Sequence, residues 1–482
     1  MQVLLKKGDD LIIVYDPREK VEVGDNLLIR ETEKERGVLV QVVETSLLDL
    51  PGILEEVVRS EVTKDVIRET GPKEYTLYSS RVKNMKYARC KIRKEVTNGS
   101  IIDWTGYSPS RDSKIELYNS KDIMEKIRGK DSEFKHPLEV GEATDKQRLK
   151  VSAFDFQGLN LIVGKKGMGK SHLAKSLLLG LLQNGARIIV FDINDEYSSL
   201  RYKPDGKTES EFHGKILSVT PGAGLSFTLK YMGQEVFLDL MEAMGVRDAS
   251  LYQLRSIWED LSKTGEVTLT GINAEVQKIT TSSVKGAIER RMSSLQQTKF
   301  VTDIEGESVT LEELFERLGE DGGVLVINLK GKDKVVMRAA VQTILSRLQE
   351  LLESKSLKPV FLFAEEAHLY LRDTDWIDAV TRIRHLGMFQ FYMTNTPTSI
   401  PEIILRQVDN LSAFHLDLRE DIRRVAPASR TDEETVELVT RALPAKTFLI
   451  VGSCTGDYPL VLKTIPFGAK AAGETISLFT ER

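Results

Sequence analysis

One stretch limits what this chain can fold into more than any other. Gly164-Lys-Lys-Gly-Met-Gly-Lys-Ser171 follows the apolar run Leu159-Asn-Leu-Ile-Val163 and leads into residues 171–184, whose spacing predicts a helix. It fits G-x-x-x-x-G-K-[ST] at every fixed position and stands between a strand and a helix, where that motif works. Glycines let the backbone turn its N–H groups inward around an anion, and the helix N-terminus adds to the attraction. The stretch predicts a triphosphate cradle built from Gly164, Lys165, Lys166, Gly167, Met168, Gly169, Lys170, Ser171 and the adjoining His172. Lys170 is expected to reach the β- and γ-phosphates and Ser171 to offer its hydroxyl to Mg²⁺, which makes ATP and Mg²⁺ the expected cofactors.

Such a cradle needs a second acid for the metal's water shell, and hydrolysis needs a group that positions water. Phe361-Leu-Phe-Ala-Glu-Glu-Ala-His368 supplies two acids at the end of an apolar strand. By position, Glu365 is the metal-side acid and Glu366 polarises the attacking water. His368 has two open readings, a γ-phosphate sensor or a packed histidine. Phe191-Asp-Ile-Asn-Asp-Glu-Tyr197 follows another apolar strand, so Asp192 and Glu196 are expected near the metal's waters, with a turn-capping Asp192 as the alternative.

Thr394 and Asn395 end a further strand, where a polar side chain can touch the γ-phosphate or the lytic water. Arg382 and Arg384, on an expected helix end, are candidates for an arginine reaching into a neighbouring subunit's site; a surface ion pair is the competing reading. Lys330, Lys332 and Lys334 lie in a loop after a core strand. That loop is either a DNA contact or simply solvated.

The grammar of the chain changes near residue 150. Before it, short apolar runs at 11–15, 26–30, 37–43, 86–93 and 114–118 are punctuated by Gly, Pro and Asp, the pattern of a small β-barrel. A helical stretch is expected near 49–68. After residue 150, runs at 159–163, 187–191, 323–328, 359–363, 390–394 and 447–451 alternate with helices, which predicts a parallel sheet covered on both faces. The expected domains are a barrel at 1–130, a linker at 131–150, core parts at 151–234 and 318–470, a helical insertion at 235–317 and a tail at 471–482. The fold class is α/β: a RecA-like P-loop ATPase core with a mostly parallel sheet, an N-terminal small β-barrel and a helical insertion.

Composition narrows the setting. The formal charge of −5 over 482 residues gives no global basic field, so any nucleic-acid contact must be local. The two cysteines, Cys90 and Cys454, have no metal-ligand spacing and read as reduced thiols of an intracellular protein. Neither a long apolar leader nor a run of eighteen apolar residues appears, so a cytoplasmic, nucleoid-associated protein without a membrane span is expected.

The order of these motifs resembles the HerA family of hexameric DNA-translocating ATPases, within the HerA/FtsK group. The resemblance runs over nearly the whole chain, and Glu365-Glu366-Ala367-His368 is its most specific piece. It implies a homohexamer with ATP sites at subunit interfaces and DNA in a central channel. It also implies a NurA-type nuclease docked on the barrel side, the pair resecting DNA ends in double-strand-break repair. The same motor working with another effector, in anti-virus defence or DNA transfer, stands as an alternative, as does an ATP-switched assembly scaffold. Three positions depart from the family's pattern: Met168 in place of Ser, Gly158-Leu159 in place of Arg-His, and Thr394-Asn395 in place of Ser-Gln. The change to asparagine shortens that side chain by one methylene.

Overall fold

The computed structural model describes residues 1–31, 36–48, 84–130, 133–371 and 373–473; the helix expected near 49–68 lies outside them. Two compact units emerge, and neither is continuous in sequence. One joins Met1–Ser152 to Gly164–Gly169 and Asn410–Ile465; the other joins Ala153–Val163 to Lys170–Asp409 and Pro466–Arg482.

In the first unit, β1 (Gln2–Lys7), β2 (Asp10–Tyr15), β3 (Asn26–Arg30), β4 (Arg36–Leu47), β5 (Lys86–Thr97), β6 (Ser100–Ile102) and β7 (Lys114–Leu117) form an antiparallel sheet. Its order is β1-β2-β5-β4-β3-β7, with β6 on β5, so the expected barrel is an antiparallel half-barrel sheet. Alternation builds its core: Leu11 and Ile13, Leu27 and Ile29, Val38, Val40 and Val42, and Ala88, Cys90 and Ile92 all face one side. A short helix, α1 (Ser120–Arg128), follows, with the Asn119 side chain accepting two N–H groups of its first turn.

The stretch expected to be a linker is instead a hairpin, β8 (Pro137–Ala143) and β9 (Arg148–Ser152). Leu138, Val140, Leu149 and Val151 are buried along it, an alternation hidden among charged neighbours. Later in the chain come β17 (Asn410–Ala413), β18 (Thr447–Gly452) and β19 (Leu460–Lys463). These run β17-β18-β19-β8-β9, each pair antiparallel, so the 447–451 run does not belong to a parallel array as expected. The segment covers the sheet's second face. Val43 packs with Val439, Leu443, Leu449 and Val461, Gln41 Nε2 donates to the Pro459 carbonyl at 2.8 Å, and Tyr458 Oη donates to Asn26 Oδ1 at 2.7 Å. Gly24 has φ +98°, and a Cβ there would stand 2.5 Å from that of Val461, so no other residue fits.

The second unit holds β10 (Leu159–Val163), β11 (Arg187–Asp192), β12 (Ile216–Pro221), β13 (Gly224–Leu225), β14 (Gly323–Asn328), β15 (Val360–Glu365) and β16 (Met388–Thr394). Their order is β13-β12-β14-β11-β15-β16-β10, all parallel. Nearly every residue of β10, β11 and β15 is buried, as strands covered on both faces require. Helix α2 (Lys170–Gln183) follows β10 after the glycine loop. The insertion is helical as expected, with α3 (Gln234–Ala243), α4 (Ala249–Thr264), α5 (Leu269–Gln277), α6 (Ser282–Gln297) and α7 (Leu311–Leu318). Helix α8 (Lys334–Glu353) begins where Asp333 caps it, accepting the Val335 N–H. Because the seven strands run one way, their carboxyl ends share one edge, where ligands of such sheets bind.

Candidate nucleotide site

The glycine loop has the backbone its sequence implied. Gly164, Gly167 and Gly169 have φ of 142°, 82° and 114°, conformations that residues with a Cβ rarely adopt. A Cβ on Gly164 would come within 2.5 Å of that of Phe414. The loop is seated on its own unit: the Lys165 N–H donates to the His415 carbonyl at 2.9 Å, and Lys446 N–H donates to the Met168 carbonyl at 2.8 Å. The side chains of Lys165 and Lys166 are exposed, and Lys165 pairs with Asp417 at 2.7 Å. Lys170 then opens α2, so Lys170, Ser171 and His172 occupy its first turn, where N–H groups lack carbonyl partners within the helix.

Lys170, Asn395 and Glu366 form a chain at the carboxyl edge of the second unit's sheet. The Lys170 ammonium donates to Asn395 Oδ1, and Asn395 Nδ2 donates in turn to Glu366 Oε1. The Asn395 backbone N–H reaches the same carboxylate oxygen at 3.0 Å, and Thr394 Oγ1 donates to the other at 2.8 Å. Burial pushes Lys170 down to about 8, against the pull of Glu366 and Glu365. Glu366 has φ +46° and ψ +48°, a left-handed conformation costing about 1 kcal/mol in a non-glycine residue. That kink carries its carboxylate out of strand alternation and onto the end of β16. His368 stands beside it, with Nδ1 3.6 Å from Glu366 Oε2.

Glu365 and Asp192 sit lower, in a buried acidic pocket. Tyr197 Oη donates to Glu365 Oε1 at 3.1 Å, and burial pushes this carboxyl up to about 7, with Glu196 and Asp192 adding to the rise. Asp192 is fully buried and accepts the N–H groups of Asn194 at 3.1 Å and Tyr197 at 2.9 Å. It therefore shapes the loop after β11, as the capping alternative anticipated. Glu196 pairs with the buried Lys175 at 2.7 Å. Among the described residues no group of three or more His, Cys, Asp or Glu could hold an ion alone. Mg²⁺ takes one or two protein oxygens and completes its shell with phosphates and water. Glu365, a buried acid opposed by neighbouring acids, and the Ser171 hydroxyl are hard oxygen donors of the required kind.

The arginines lie elsewhere. Arg384 is ion-paired with Asp409 at 2.9 Å, and Asp409 also accepts the Leu159 N–H at 2.8 Å. Leu159 begins β10, so this pair marks the amino end of a strand whose carboxyl end feeds the glycine loop, about 15 Å away. Arg384 is thus the surface ion pair of the alternative reading, while Arg382 is exposed. Lys330, exposed, and Lys332, half-buried, lie in the turn beyond the carboxyl end of β14, and exposed Lys334 opens α8.

Sequence reasoning missed Tyr197, the hydroxyl that holds Glu365, and Lys175, only 1% exposed. Lys175 had left a trace: a lone lysine within Leu173-Ala-Lys-Ser-Leu-Leu-Leu179, a mostly apolar run.

Comparison with known proteins agrees with this architecture. Residues 138–348 match the family model described as Helicase HerA, central domain. VirB4 of Thermoanaerobacter pseudethanolicus superposes with a TM-score of 0.53 at 15% identity, over 69% of this chain and 97% of that one. The bacterial conjugative coupling protein TrwB superposes with a TM-score of 0.50 at 12% identity, over 74% and 94%. No curated protein sequence matches the chain. At such identities the likeness speaks for the fold, a RecA-like core, and the glycine loop and acidic pair speak for the chemistry. The chain has the fold of RecA-like P-loop ATPases, and its residues 138–348 are similar to the HerA central domain.

Proposed function

We propose that this chain hydrolyses ATP to move DNA, as one subunit of a six-membered ring acting with a nuclease of the NurA type in end resection. The observation carrying the motor reading is the Lys170–Asn395–Glu366 chain, which links the phosphate-binding lysine to the water-polarising acid through one amide. An arriving γ-phosphate competes with Asn395 for the Lys170 ammonium. Released from it, the Asn395 amide can turn toward the phosphate or the lytic water while its backbone N–H keeps Glu366 in place. Glu366 then orients the water that attacks in line. Ser171 and Glu365 would hold Mg²⁺, which when bound would supply charge neutralisation at the phosphate oxygens.

The ring, the DNA and the nuclease rest on the family likeness together with loop chemistry. The Lys330–Lys334 turn shares the carboxyl edge with the site and offers local positive charge to a DNA backbone. Arg382, exposed, and Arg384 are both candidates for an arginine reaching into a neighbour's site. Among the described residues no helix is long and apolar enough to cross a membrane.

The test is turnover of ATP by the purified chain with and without duplex DNA, alongside the mass of the assembly. DNA-stimulated hydrolysis by a ring supports the motor; slow, DNA-indifferent turnover returns the reading to an ATP-switched scaffold. Capture of a nuclease from the native host supports the resection partner, and capture of a different effector replaces it.

A further inference from the structure

The last described residues, Pro466–Gly473, run as a strap beside α2. The Phe467 ring stacks on His172 with centroids 4.7 Å apart and planes 30° apart. Lys470 N–H donates to the Tyr202 carbonyl at 2.7 Å, and the Lys470 carbonyl accepts Ser199 Oγ at 3.1 Å. Further on, the Ala472 carbonyl accepts the buried Lys175 ammonium at 2.6 Å. Gly473 lies so close to Glu196 that a Cβ would come within 2.5 Å of its carboxylate. Three backbone hydrogen bonds and a tight glycine contact therefore hold the strap without help from Phe467.

Phe467 itself is half-buried, as is His172. An aromatic pair whose surface is still partly open, at the residue directly after Ser171, is placed where a nucleotide must pass. The triphosphate occupies the Lys170–Ser171 end, and sugar and base continue from the α-phosphate beyond it. Stacking on an aromatic face needs no particular hydrogen-bond pattern, because every base offers a π-face. We propose that Phe467, backed by His172, is the platform for the nucleotide's base, making the strap the element that distinguishes a nucleoside triphosphate from bare polyphosphate. The proposal rests on the reading of Lys170–Ser171 as the triphosphate site.

The experiment is competition of ATP and of inorganic tripolyphosphate against a fluorescent ATP analogue, on the full chain with Mg²⁺. Phe467→Leu keeps an apolar side chain at the strap but removes the ring. It should weaken ATP about tenfold and leave tripolyphosphate within about twofold, whereas Phe467→Trp should retain ATP affinity. Lys170→Ala should weaken both ligands. Parallel weakening of both by Phe467→Leu, or no change in ATP affinity, overturns the platform while leaving the phosphate site standing. Failure of the unaltered chain to bind either ligand overturns both readings.

Discussion

The two units hold charge differently. In the first, Lys91 and Glu95 are answered by opposite charges, although burial still raises Asp25 and lowers Arg93. Lys91 is opposed by its own burial yet held above the ordinary lysine range by Asp10, Asp432 and Glu434. Glu95 is likewise opposed by burial, but Arg36 and Thr105 bring it down to about 2. Arg93 is wrapped by Gln41, Thr431, Thr435 and Asp432. In the second unit the shifts run against charge: Glu365 rises to about 7 and Lys170 falls to about 8. Satisfied ions hold parts together; unsatisfied ones await a partner, and such groups gather at functional sites.

The contrast breaks most visibly at Glu366. Glu366→Gln should lower hydrolysis by about 10²- to 10⁴-fold while ATP stays bound, since only the water's polarising group is lost. Single-turnover hydrolysis with equilibrium binding measures both. Retention of near-normal turnover, with loss in Glu365→Gln instead, would exchange the two roles.

Arg93→Ala should do the reverse. It leaves Gln41 Oε1 without its Arg93 donors and takes one cation from Asp432, costing about 2–3 kcal/mol in denaturant unfolding. Nucleotide affinity of the folded fraction should be unchanged. An unfolding midpoint equal to that of the parent would show that these ions, too, carry little.

The pH dependence of Glu365 sharpens the comparison. Below pH 4.5 the folded and unfolded chains both keep this proton, so the group adds nothing. Between 4.5 and about 7 the unfolded chain ionises while the folded one does not, and stability falls as pH rises. Glu365→Gln should therefore stabilise the ligand-free chain by about 2–3 kcal/mol at pH 8 and by nothing near pH 4. A destabilised Gln variant at pH 8 would place Glu365 among the satisfied ions.

The smallest effect belongs to the surface. Each alanine at Lys330, Lys332 and Lys334 should flatten the salt dependence of DNA binding by about one unit of slope, leaving basal hydrolysis intact. An unchanged slope in the triple variant would remove this turn from any DNA path.

Much of this was legible in the sequence because local rules sufficed. The strands at 26–30, 159–163 and 323–328 were read to the residue, and helix α8 begins where Asp333 promised. The acidic pair was legible as a pair, but the kink at Glu366 that parts its members was not. What escaped was written in long-range pairing. Strand β8 depends on β19, more than 300 residues away, and its charged outward residues look like a linker. Arg384 read as a candidate for a neighbouring subunit's site because its partner Asp409 stands 25 residues on. Phe467 carried no motif at all.

The membership of the first unit has a mechanical meaning. Gly164–Gly169 belongs with the half-barrel sheet, resting on Phe414 and Lys446, whose strands interlock with Val43, Gln41 and Asn26. The sheet is thus ballast for the phosphate loop as well as the surface expected to dock a partner. Cutting the chain near residue 145 would expose Val439, Leu449 and Val461 and unseat the loop's foundation, so truncation cannot separate docking from catalysis. Single changes on the sheet's outer strands can, because they leave that footing whole.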